Sequence, residues 1–278
     1  MKTQSTNKTW WGSSTDFVFP VLVALLFFAF VFSYYPFREK LQFDSDEGLN
    51  LMRSMLVTLG HPLYSEVSSD QPPLLTHLLA FLFRLVGFEV NPARLLILLF
   101  STLLVWAVAQ FLQLAWGRLA AILFLPLAVM LPEYLRLSTS VMIGVPSIAL
   151  AAVSMVFVGF WHQKRNNVWL ALSGFALALS VLIKLFTGLL APILLIGITS
   201  AVYFENRQAG FSWKTLRPAL IWGVCFGSLG LVLGLALVGP RNVWSIIFPH
   251  VAAPTTDYLK GEGYTINTRL QAAVPILL

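Results

Sequence analysis

Charge is what this chain has least of. Asp, Glu, Lys and Arg make up 11% of its 278 residues against 58% hydrophobic residues, and the apolar residues come in long unbroken blocks. A soluble chain of this length has no interior large enough to hide such blocks, which points to an integral membrane protein. Short alternating strands are missing as well. That argues against a β-barrel and leaves helices, which satisfy their own backbone hydrogen bonds in lipid. Cysteine occurs once, at Cys225, so neither an intrachain disulfide nor a cysteine-built metal site is available. There is no glycine-rich phosphate loop to suggest a nucleotide-binding fold. The 18 Lys and Arg residues are dispersed along the chain. They form no basic groove with exposed aromatics, which argues against nucleic acid as a partner.

What is present is a series of candidate spans: 17–35, 94–115, 119–135, 139–160, 168–184, 187–204 and 218–239. The first follows a polar tail, 1–16. Its apolar run is too long and too aromatic for a signal peptide, it has no small-residue cleavage site, and Trp10, Trp11, Tyr34 and Tyr35 suit interfacial anchors at its two ends. The block 168–204 is long enough for two crossings, with Lys184 and Gly188 at the turnaround. Segment 72–87 is also apolar, but its 16 residues reach only ~24 Å as a helix against a hydrocarbon core of ~30 Å. If it stays out of the membrane, Lys2, Lys8, Arg118, Lys164, Arg165, Arg207, Lys214 and Arg217 all fall on the cytoplasmic side. If it crosses, most of them move outside, against the usual bias. The expectation is therefore an all-α polytopic membrane protein of about seven spans with a cytoplasmic N-terminus. Segment 72–87 then lies at the interface, within a long external segment 36–93.

That external segment carries seven acids (Glu39, Asp44, Asp46, Glu47, Glu66, Asp70, Glu89) against four bases (Arg38, Lys40, Arg53, Arg84), a net charge of −3 in a chain of +6. Within it, 48–60 reads as a short amphipathic helix with Leu49, Met52, Leu56 and Leu59 on one side. Asp44 or Ser45 can cap it, and Asp46 and Glu47 fall in its first turn, where backbone N–H groups are unpaired. Helix capping explains these acids as well as a pocket-facing base does. A second cluster, Ser68-Ser69-Asp70-Gln71-Pro72-Pro73-Leu74, opens the interfacial helix, and its prolines fix the approach of the chain. The short, turn-rich connection lets Asp46 and Asp70 converge on one cavity. His61, His77 and His250 have no recognised ligand spacing, and no metal ligand is assigned, although the carboxylates Asp46, Glu47 and Asp70 suit a hard divalent cation.

In order and spacing, the two acidic clusters resemble the polyprenyl-phosphate-sugar-dependent membrane glycosyltransferases of the protein mannosyltransferase and aminoarabinose transferase type. Asp46-Glu47 matches the Asp-Glu pair of that family's first external loop, and Asp70-Gln71-Pro72-Pro73-Leu74 matches its downstream acid before Pro-Pro-Leu. A Gly-containing helix ending in lysine matches Gly174 to Lys184, so the likeness runs over about 40–190. Two positions depart from the family pattern. Gln71 stands where a lysine is frequent, and Met142-Ile143-Gly144-Val145-Pro146 lacks an acid before its proline.

The resemblance implies a GT-C-like transmembrane domain, 17–239, in the plasma membrane of a bacterium. It also implies inverting transfer of a sugar from a polyprenyl-phosphate donor to a hydroxyl of a protein, glycan or lipid at the extracytoplasmic face. Asp46 would be the general base, with Glu47 and Asp70 beside it; no cofactor is assigned, and a divalent cation on these carboxylates stays open. A leaving phosphate needs a cation. Lys184 is the first candidate because an ammonium in a membrane segment needs the interface or a partner, and Arg53 and Arg136 follow. Two other classes use the same features. A polyprenyl-lipid transporter or flippase would need the amphipathic elements and the lysine but no base, and a non-catalytic assembly subunit would need neither. Residues 240–278 form a polar loop in which Tyr258, Lys260 and Tyr264 suit an acceptor groove. The loop leads into the start of a further apolar helix, as expected of a shortened member of a longer family.

Overall fold

A computed structural model of the chain describes residues 18–40, 44–205 and 213–240. The polar tail, Arg207, His250 and the loop 241–278 with Tyr258, Lys260 and Tyr264 lie outside the described residues. The regular structure of the described residues is all helical apart from one isolated bridge between Leu63 and Val67. Among the described residues, four helical segments are long and apolar enough to cross a membrane: Val90–Trp116, Gly144–Lys164, Leu185–Glu205 and Thr215–Val238. The protein is thus a multi-spanning α-helical membrane protein.

Helix α1 (Val18–Tyr34) packs on α4 (Val90–Trp116), which also packs on α5 (Arg118–Met130) and α7 (Gly144–Lys164). Helix α7 carries α8 (Asn167–Val181), and α8 lies against α10 (Trp213–Val238), with α9 (Leu190–Glu205) alongside. The short α2 (Ser45–Thr58) and α3 (Leu74–Val86) pack on each other at one end. The 13 residues of α3 span about 20 Å, shorter than the hydrocarbon core.

Several helix limits differ from the sequence expectation, each with a local cause. The expected span 119–135 breaks at Leu131 (φ −88°, ψ 101°), which precedes Pro132 and is pushed into extended backbone; Pro132 then starts the six-residue α6 (Pro132–Leu137). The next span begins at Gly144 instead of 139, because 138–143 is a buried loop in which Ser138, Thr139 and Ser140 are inaccessible. Helix α8 stops at Val181, and a 3₁₀ turn (Leu185–Leu189) leads into α9. Gly117 (φ +90°) supplies the left-handed hinge between α4 and α5.

Small residues let the central helices approach. Trp222 is fully buried and its Nε1 donates to Ser173 Oγ at 2.9 Å, while Ser173 Oγ donates to the Ser154 carbonyl and Ser180 Oγ to the Ser147 carbonyl. These pairings run antiparallel between α7 and α8. The contacts Gly174 with Trp222, Ala178 with Gly230 and Leu182 with Gly234 run parallel between α8 and α10. Interhelical hydrogen bonds of this kind are each worth about 0.6 kcal/mol in a membrane. The closest approach is at Gly174, where a Cβ would lie 2.7 Å from the Trp222 carbonyl oxygen and 2.9 Å from the Phe226 nitrogen. Both are backbone atoms, so Gly174→Ala forces α10 to move. The expected loss is about 1–3 kcal/mol, read as a lower unfolding temperature in detergent; an unchanged temperature contradicts this packing.

The two ends of the bundle differ in charge. Arg118, Lys164 and Arg165 sit at the turns joining α4 to α5 and α7 to α8, and Arg165 pairs with Glu205 at the end of α9. The acids of 44–70 gather at the opposite end.

Candidate active site

The acidic end is organised around α2. Asp44 Oδ1 accepts from the Asp46 N–H at 3.2 Å, the N-cap that the sequence suggests, and Asp46 and Glu47 fall in the first turn. The face that α2 turns inward takes in only part of its leucine stripe. Leu56 packs against the cluster of Val57, Leu63, Val67 and Ala80, but Leu49, Met52 and Leu59 are exposed, whereas Glu47, Ser54 and Val57 are buried. The cause is Arg94. This arginine, 1% exposed near the start of α4, donates from Nε and Nη2 to the two Glu47 oxygens at 2.9 Å each. Its Nη1 donates to the carbonyls of Phe37 and Lys40 at 2.7 Å. A bidentate pair this deep must be met completely, so it decides the rotation of α2. Glu47 Oε1 also accepts from the Val141 N–H at 3.3 Å, and Asn50 Nδ2 donates to the Val141 carbonyl at 2.9 Å. The loop 138–143 is thereby tied to α2.

These ties bring together the walls of a small polar cavity of about 140 Å³, lined by Asp46, Asn50, Arg53, Asp70, Gln71 and the Met142-Ile143 turn with Leu49. The grooves between the long helices are larger, about 480 and 310 Å³, but their walls are apolar side chains. The site sits on a firm base. Leu75, Leu79, Ile97, Val141 and Ile183 form one buried cluster beneath it, and the Leu74 N–H donates to the Leu182 carbonyl at 3.0 Å. That hydrogen bond also places Lys184 at this end, on a turn in which its carbonyl accepts from the Thr187 hydroxyl at 2.9 Å.

The carboxylates here differ in what holds them. Asp44 pairs with Arg136 at 3.2 Å, and Arg136 pairs with Glu133 at 2.6 Å. The Asp46 N–H on Asp44, followed by the Arg136 guanidinium, holds the Asp44 carboxyl below the usual range. Glu47 is committed to Arg94. Asp70 receives Arg53 Nη2 at 3.3 Å and Gln71 Nε2 at 2.9 Å. Burial pushes Asp70 up, but the Gln71 amide, its own N–H and Arg53 outweigh it, so its carboxyl stands below the usual range. Asp46 is exposed, and its carboxylate meets no hydrogen-bond or ion-pair partner among the described residues.

Of the residues singled out in the sequence, Asp46, Asp70 and Arg53 thus share the cavity. Glu47 lies behind it in the protein, and Arg136 stands beside the α2 cap instead of on the cavity wall. Lys184 is half-buried and forms no ion pair among the described residues. Among those residues no group of three His, Cys, Asp or Glu side chains is placed to hold a metal ion. Sequence reasoning missed Arg94, Asn50 and the Val141 main chain. A signal for Arg94 was available: an arginine in an apolar segment needs a partner, an acid or backbone carbonyls.

Residues 70–244, more than half of the chain, match the family of dolichyl-phosphate-mannose-protein mannosyltransferases. The chain belongs to this family. No curated protein and no solved structure matched it. Membership assigns the general class, a membrane glycosyltransferase that draws on a polyprenol-phosphate sugar. The matched region opens at Asp70 and takes in Gln71 and the Pro72-Pro73 start of α3, the Met142-Ile143 wall and Lys184. Asp46 and Glu47 precede it.

Proposed function

We propose that the chain catalyses inverting transfer of a sugar from a polyprenyl-phosphate donor to a hydroxyl acceptor, with Asp46 as general base. The reaction takes place at the extracytoplasmic face of a bacterial plasma membrane, and the N-terminus is cytoplasmic. The observation that carries this reading is the Asp46 carboxylate, which meets no hydrogen-bond or ion-pair partner among the described residues. It lies on a polar cavity whose neighbouring acids, Asp44, Glu47 and Asp70, are each held by an arginine. A base must be ionised and open to the proton it takes, and among these four acids that description fits Asp46.

In the reaction, an acceptor hydroxyl in the cavity loses its proton to Asp46 as its oxygen attacks the anomeric carbon. The bond from that carbon to the phosphate oxygen breaks, and the lipid phosphate leaves with the electron pair. A single displacement reverses the anomeric configuration. The cavity is small compared with the roughly 300–1,000 Å³ of a whole-ligand pocket, which suits one reacting group and leaves the prenyl chain in lipid. The cation for the departing phosphate is Arg53, on the cavity wall, or Lys184, whose turn lies at the same end, while Arg136 is already shared by Asp44 and Glu133.

The test is the stereochemistry of transfer. Membranes containing the chain, supplied with polyprenyl-phosphate sugars of defined anomeric configuration, are expected to yield product of the opposite configuration, read by linkage-specific glycosidases. Retention would exclude a single-base displacement.

A further inference from the structure

Among the described residues, three arginines at this end hold carboxylates, and they differ in how firmly they do so. Arg94 and Glu47 are each 1% exposed and meet in two contacts of 2.9 Å, and Arg94 Nη1 also donates to two backbone carbonyls. Arg136 holds two carboxylates at once. Arg53 meets Asp70 through a single contact of 3.3 Å, and the Asp70 side chain is 56% exposed. An exposed, monodentate pair contributes little to stability and opens readily. It is also the pair that faces the cavity, where Arg53 is the cation on the wall beside Asp46.

We infer that Asp70 is an anionic placeholder on Arg53, and that the phosphate of a prenyl-phosphate ligand takes its place when the donor binds. Naming phosphate as the incoming anion rests on the glycosyltransferase reading. The geometry of the exchange does not. A guanidinium presents parallel N–H groups that suit two phosphate oxygens, so exchanging one carboxylate contact for a bidentate phosphate contact improves its hydrogen bonding. Gln71 Nε2, now on Asp70 Oδ2, keeps hold of the displaced carboxylate from its far side. Asp70 then opposes ligand binding, so removing its charge strengthens the binding of phosphate.

The test is binding of farnesyl phosphate, with uncharged farnesol as comparator, to the full chain in detergent micelles, for the unaltered protein, Arg53→Gln, Arg53→Lys and Asp70→Asn. Arg53→Gln is expected to weaken farnesyl phosphate about 10-fold or more and to erase its advantage over farnesol. Arg53→Lys should retain part of that advantage. Asp70→Asn is expected to bind farnesyl phosphate several-fold more tightly, with farnesol unchanged. Unaltered binding in Arg53→Gln would assign the phosphate to another cation such as Lys184, and weaker or equal binding in Asp70→Asn would overturn the placeholder. Sugar transfer is scored separately. Transfer without this binding pattern rejects the exchange alone, and the binding pattern without transfer rejects the enzyme reading alone.

Discussion

Replacing Glu47 with alanine is expected to cost the fold about 3–5 kcal/mol, the largest stability effect of any single substitution at the acidic end. The magnitude comes from what remains. Arg94 is 1% exposed, and without Glu47 its buried charge loses its bidentate carboxylate and keeps the neutral carbonyls of Phe37 and Lys40. The Val141 N–H loses its acceptor in the same step. Unfolding temperature and the yield of monodisperse protein in detergent read the effect. Removing both charges together, as Glu47→Leu with Arg94→Leu, should recover part of the loss because no lone ion is left. Recovery stays incomplete because the Phe37 and Lys40 carbonyls and the Val141 N–H remain unpaired. A Glu47→Ala protein as stable as the original would show that the pair does not hold α2 on α4. By contrast, Asp44 is a partly exposed cap, and its substitution should move stability far less.

Asp46→Asn is expected to have the opposite profile, with little change in stability and a large loss of turnover. Its side chain is exposed and without a partner among the described residues, so the amide removes no contact, and stability should stay within about 0.5 kcal/mol. Loss of a positioned base removes a factor of about 10²–10⁴ in rate. Donor affinity should survive, since the amide still fits the cavity and takes away a negative charge. The two neighbouring residues of one helix turn thus separate cleanly: Glu47 variants lose folded protein, and Asp46 variants lose rate per folded molecule.

How far the sequence could reach is visible in the same residues. The long apolar runs mark α1, α4, α7, α9 and α10 to within a few residues, because continuous hydrophobicity over membrane length has few other meanings. The Asp44 cap and the placement of Asp46 and Glu47 in a first turn follow from local rules of helix ends. Their different fates do not. Asp46 and Glu47 are adjacent and chemically alike, and what divides them is Arg94, 47 positions downstream of Glu47, together with the Val141 main chain. Periodicity also gives no sense of facing. Of Leu49, Met52, Leu56 and Leu59, which the sequence puts on one side of the helix, Leu56 packs inward while Leu49, Met52 and Leu59 are exposed, because the bidentate ion pair sets the rotation. The break at Leu131 lay in the Leu-Pro sequence, where proline acts on the preceding residue, but hydropathy alone ran the helix through it.

The central claim is that Asp46 is the base of a sugar transfer, and one comparison tests it most directly. Transfer of radiolabelled sugar from a panel of polyprenyl-phosphate donors into membrane acceptors would be measured for the intact chain and for Asp46→Asn, at matched amounts of folded protein. The account predicts transfer by the intact chain and a loss of at least about 100-fold in the variant; equal transfer by both would contradict it.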